Sequence, residues 1–157
     1  MVAHRSDPNG TAPTAGAGAA RWSLIGLELL VAVNAGYGGV GLMLNGLGMP
    51  AEWLAGTPFD TWVLPGVFLL AVVAAPMAVA AAAELTRRSW AFAASLAAGT
   101  LQAGWIVAQV AIIQRYFVLQ PVMFAAGVLV VLLAVWAHRG AQVAETHPRS
   151  SRSRSGP

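Results

Sequence analysis

Four apolar stretches separated by short polar breaks fix the solvent in which this chain folds. They run approximately over 22–44, 64–85, 90–113 and 117–136, and a helix needs about 20 mainly apolar residues to cross the hydrocarbon of a bilayer. Apolar residues make up 57% of the chain and charged ones 10%, a balance that leaves a soluble domain with nothing to cover its surface. The expected fold is an all-α membrane protein: a four-helix transmembrane bundle over residues 21–138, with disordered tails over 1–20 and 139–157. The first stretch exceeds the apolar core of a signal peptide, about 7 to 15 residues, so it is expected to be a retained span.

Arginines set the topology. Arg5 and Arg21 precede the first span, Arg87 and Arg88 separate the second from the third, and Arg139, Arg149, Arg152 and Arg154 follow the fourth. The other side has Arg115 against Glu52 and Asp60. Cationic loops stay in the cytoplasm, so both termini are expected there, in the cytoplasmic membrane of a bacterium. Trp22, Trp90 and Trp136 fall at inner ends and Trp62 at an outer end, where amphipathic rings favour the headgroup layer; Trp105 lies deeper, as a packing residue. All non-histidine basic residues are arginine and the chain is rich in Ala, Gly and Val, a composition of high-GC genomes that says nothing about function.

Both tails mix Ser, Pro, Gly and Thr with few large apolar groups and cannot offset the entropy of ordering. The arginines at 149–154 can touch anionic headgroups, at about 1 kcal/mol each, but a solvated tail is the expected state, and no specific nucleic-acid binding is expected. The outer loop 45–63 is long enough to carry structure of its own. Pro50 can open a helical turn through Ala51–Leu54 that Gly56 stops, followed by a turn at Thr57-Pro58-Phe59-Asp60. Trp53, Leu54, Phe59 and Trp62 would then form a short interfacial segment over the outer end. Arg21-Trp22 and Arg88-Ser89-Trp90, with Pro65 and Pro121, give the two hairpins a weak likeness. Such features fit either a duplication or the generic anchoring of membrane helices.

Glu28, Asn34, Ser95, Gln102 and Gln109 stand out as polar residues at membrane depth and as a candidate binding cluster. Glu28 lies about 10 Å beyond Arg21 at 1.5 Å per residue, where an ionised carboxylate is costly. The small residues Ala32, Ala35 and Gly39 continue its face, so it should point into the bundle. Pairing with Arg87 or Arg88 reaching inward is one expectation; a protonatable transport site and a contact with a partner protein are others. Ser95, Gln102 and Gln109 repeat every seven residues on one face of the third span. Counted from the inner arginines, Glu28 aligns with Ser95 and Asn34 with Gln102, so the pairs would meet if spans one and three are neighbours. Interhelical hydrogen bonding is the expected role of the amides, at about 0.6 kcal/mol each. Pro76 should kink the second span.

Several chemistries lack their residues. There is no cysteine, which excludes disulfide, thiolate and cysteine-ligated metal chemistry. His4, His138 and His147 sit in or beside the tails, so neither metal nor cofactor is expected in the core. No Ser-His-Asp set or phosphate-cradling glycine loop is present, and Gly36, Gly38, Gly39 and Gly41 lie within an apolar span with no strand before them.

The pattern Gly48-Met49-Pro50, Leu54, Thr57-Pro58-Phe59, Trp62, Leu64-Pro65-Gly66, Gly99, Trp105-Ile106, Gln109 and Leu119-Gln120-Pro121 resembles small, uncharacterised four-span membrane proteins of high-GC Gram-positive bacteria. The resemblance spans roughly residues 22–137 and implies a four-helix membrane protein, with no catalytic residues attached. Small multidrug transporters also place a glutamate in the first of four spans, but they have shorter loops and weaker charge bias. The expected function is therefore that of a non-enzymatic membrane component whose partners are the bilayer and either another membrane protein or further copies of itself. The alternative is a small transporter or binder of a hydrophobic or cationic solute using Glu28 with Gln102 and Gln109.

Overall fold

The computed structural model describes residues 12–114, 116 and 118–146, and all regular structure among them is helical. Helix α1 covers Ala12–Asn45. The second span is built from α2 (Val63–Leu69), a π-helical turn (Leu70–Ala74) and α3 (Ala75–Leu85). Helices α4 (Ala91–Ile113) and α5 (Leu119–Thr146) complete the set. Four helices are thus long and apolar enough to cross a membrane. Their outward faces carry Leu30, Val33, Val67, Val107, Leu129 and Leu132 exposed, a surface that only hydrocarbon solvates without penalty.

Two boundaries differ from the sequence expectation. Helix α1 starts at Ala12, inside the segment expected to be disordered, and α5 runs on to Thr146 beyond residue 138. Extending an existing helix adds one hydrogen bond per residue fixed, with no new nucleus to form. Ala19, Ala20, Ala141 and Gln142 all favour that extension. His138 and Gln142, one turn apart, lie 3.2 Å from each other. The remainder of both expected tails, 1–11 and 147–157, lies outside the described residues, as does Arg115.

The four spans form a ring. Helix α1 packs against the second span and α5, and α4 packs against the same two, so α1 and α4 stand across the diagonal. Core residues come from every span: Leu24 and Val31, Val73 and Met77, Ala98, then Val130 and Ala134. Close approach depends on glycine. A Cβ on Gly66 would lie 2.6 Å from the Gly39 carbonyl, and one on Gly99 would lie 2.8 Å from the Gly127 carbonyl. Each hairpin therefore crosses at a glycine pair, the packing that small residues permit between membrane helices. The pairs sit at different distances from Trp22 and Trp90, so the crossings are not related by the weak hairpin repeat.

Pro76 acts through the turn before it. The Ala75 N–H donates to the Leu70 carbonyl five residues back, widening the helix where the proline ring would press on the preceding turn. Leu70, at the start of that turn, packs over Gly39, where a Cβ would come within 2.7 Å of its Cγ.

The loop after α1 has the helical turn expected for it, Ala51–Leu54 following Pro50, and Gly56 adopts φ +83°. The Thr57 hydroxyl donates to the Leu54 carbonyl and accepts from the Phe59 N–H. Leu54 and Trp62 are buried, with the Trp62 indole against Gly46; Trp62 is thus a packing residue more than an exposed belt residue. Phe59 meets Phe68, which meets Trp105, at ring separations of 6.3 and 6.1 Å. The loop is therefore fastened across the second span to α4. At the end of the bundle that carries Arg21 and Arg88, Trp22, Trp90 and Trp136 are exposed, and Phe92 stacks on His138 at 4.1 Å, tying α4 to α5.

Candidate functional site

The polar residues separate into three environments. Glu28 sits between the buried Leu24 and Val31 on the inward face of α1 and is fully buried, as is Ser95 on α4. The Ser95 hydroxyl and, from α3, the Glu84 carboxylate face it. Hydrogen-bond geometry is not met by either Glu28 oxygen or by Ser95 Oγ. The two residues meet across the diagonal, without their helices being neighbours, because Ser95 is flanked by the small residues Ala91 and Ala98.

An ion pair closes the end of this seam nearest the α3–α4 turn. Arg21 Nε lies 3.2 Å from Glu84 Oε2, and the same guanidinium donates to the Glu84 backbone carbonyl. Arg21 and Glu28 share one face of α1, two turns apart. The arginine expected beside Glu28 was Arg87 or Arg88; both are exposed, and Arg21 is committed to Glu84. Arg87 is drawn off by its role in the turn, where it ends α3 at φ +52° and the Arg88 N–H returns to the Ala83 carbonyl. Glu84 was not singled out in the sequence because it lies at a span end, where a carboxylate looks solvated.

Gln102 forms the second environment. It is buried, and its Nε2 donates to the Met123 carbonyl of α5 at 3.2 Å, while Oε1 finds no partner. Its stem also covers Gly127, where a Cβ would lie 2.8 Å from Gln102 Cγ. Gln102 thus holds α4 to α5, the glue role expected of it. Gln120 at the start of α5 is buried as well; its place beside Pro121 gave no periodic signal in the sequence.

Asn34 forms the third and departs from the expected alignment. It does not meet Gln102, since it is exposed on α1, about 120° around the helix from Glu28. Gln109 is half-buried near the C-terminal end of α4, away from the Glu28 layer. The five residues therefore do not form one cluster: Glu28 and Ser95 meet, and the other three lie apart.

Two open spaces are grooves on the outside of the bundle. One of about 520 Å³ runs between α4 and α5, lined by Ile106, Val110, Tyr116, Gln120, Pro121 and Phe124. Another of about 460 Å³ lies along the C-terminal half of α1, against Gly36, Tyr37, Val40 and Leu44. Neither reaches Glu28. No family model, curated protein or solved structure matches this chain.

Proposed function

We propose that this chain is a non-enzymatic component of the bacterial cytoplasmic membrane that works by assembling with other membrane helices. Its termini lie in the cytoplasm, and the loop segment 51–54 caps the outer surface. The observation that carries this reading is Asn34, an exposed carboxamide at the middle of α1 with no hydrogen-bond partner among the described residues. An amide moved from water to hydrocarbon without a partner loses about 4–8 kcal/mol, and another helix at the same depth removes part of that penalty. The gathering of Arg21, Arg87, Arg88 and Arg139 at one end of the bundle supports the orientation. Crosslinking in the native membrane followed by purification tests the assembly. A defined complex is expected, and a lone monomer at native abundance would overturn the reading.

A second reading rests on Glu28. A fully buried carboxyl with both oxygens unpartnered is costly and is characteristic of ion pathways, which favours a small carrier of a cationic or hydrophobic solute. Glu28→Gln separates the two: a carrier loses flux in liposomes, while an assembly component keeps its complex.

A further inference from the structure

The geometry points to a second copy of this chain as the occupant of the exposed α1 face, with Asn34 paired to Asn34. This inference rests on the assembly reading above and names its partner. Asn34 lies about 18 Å along the helix from Trp22 and about 15 Å from Leu44, at the centre of a hydrocarbon layer about 30 Å thick. Headgroups and water are out of reach, so only an intramembrane polar group can satisfy it. A carboxamide both donates and accepts, so two of them satisfy each other. A second copy inserted in the same sense necessarily presents the same amide at the same depth, and a two-fold axis along the membrane normal brings identical faces together.

The surroundings fit such a contact. Tyr37, 76% exposed, is one turn along the helix, and side chains lean toward the helix N-terminus, which carries its hydroxyl toward the Asn34 turn. Tyr37 likewise makes no hydrogen bond among the described residues. Beside it is the groove over Gly36, where a Cβ would meet nothing within 4 Å, leaving room for side chains of the partner. The exposed faces of α4 and α5 at comparable depth carry Leu101, Val107, Val128 and Leu129. Thr100 on α4 is exposed too, but a threonine hydroxyl can return to its own helix one turn back.

The absence of cysteine makes a direct test clean. Leu30→Cys and Tyr37→Cys flank Asn34 and leave it in place, while Leu101→Cys and Leu132→Cys mark other faces. Oxidation of the purified protein in liposomes is expected to give disulfide-linked dimers at 30 and 37 and not at 101 or 132. Energy transfer between fluorophores on the C-terminal tail, followed on dilution into lipid, should show Asn34→Leu weakening the dimer by about 5- to 30-fold and Asn34→Gln weakening it less. Circular dichroism checks that Asn34→Leu remains helical, as expected for an exposed position. Equal crosslinking on all faces, or an unchanged dimer constant for Asn34→Leu, would overturn the proposal. A monomer in liposomes together with a defined complex with another protein in native membranes overturns the second copy and leaves the assembly reading standing. A monomer in both settings overturns both.

Discussion

Replacing Gly66 by alanine tests whether the glycine crossings set the geometry of the bundle. The added methyl would lie 2.6 Å from the Gly39 carbonyl oxygen, 2.8 Å from Met43 Cγ and 3.1 Å from Leu42 Cβ. The first contact is about 0.8 Å inside the distance at which ordinary packing begins, and because it is to backbone, no rotamer change relieves it. The α1–α2 hairpin must open by a comparable amount. A gap of about 0.5–1 Å forfeits a quarter to a half of each dispersion contact it touches, and overpacking of this kind costs about 1–3 kcal/mol. Alanine also gains about 0.5–1 kcal/mol over glycine within a helix, so a net loss of about 1–2 kcal/mol is expected. Gly104→Ala is the matched control, since a Cβ there meets nothing within 4 Å; it should gain about 0.5–1 kcal/mol. Reversible unfolding in bicelles should then separate the two variants by about 2 kcal/mol, roughly 30-fold in unfolding constant. Equal stabilities would refute the claim that the Gly39–Gly66 contact is tight.

Other substitutions probe the polar contacts. Ser95→Ala removes a buried hydroxyl that faces Glu28 without meeting hydrogen-bond geometry, so unfolding stability should stay within about 0.5 kcal/mol of the parent; a loss of more than about 1.5 kcal/mol would mean that Ser95 and Glu28 hold a hydrogen bond. Gln102→Ala removes the tie to the Met123 carbonyl and opens space over Gly127, and should cost about 1–2 kcal/mol in the same unfolding measurement, with Gln102→Leu recovering the packing part. The Arg21–Glu84 pair, at 23% and 13% side-chain exposure, should show a coupling of about 0.5–1 kcal/mol in a double-mutant cycle of Arg21→Gln and Glu84→Gln; zero coupling would deny the pair any role in closing that end of the seam.

The sequence by itself determined the helices and what surrounds them. Hydrocarbon forces backbone hydrogen bonds to close within each segment, so span length and hydropathy alone mark where helices run, and the helical turn after Pro50 follows from local backbone preferences. The inward direction of Glu28 was legible for a similar reason, because the cost of a carboxylate in lipid leaves it only the bundle interior. Which helices become neighbours was left to packing. Spans one and three stand diagonally, so Glu28 reaches Ser95 across the centre while Asn34, on another face of α1, turns outward and never meets Gln102. The choice of Arg21, with Glu84 as its counter-ion, was likewise tertiary: it depends on α3 ending beside the Arg21 turn of α1 and on the turn holding Arg87 away. Periodicity reports the face a residue occupies on its own helix, but the partner on that face is fixed only when side-chain volumes and glycine contacts select one arrangement of the four helices.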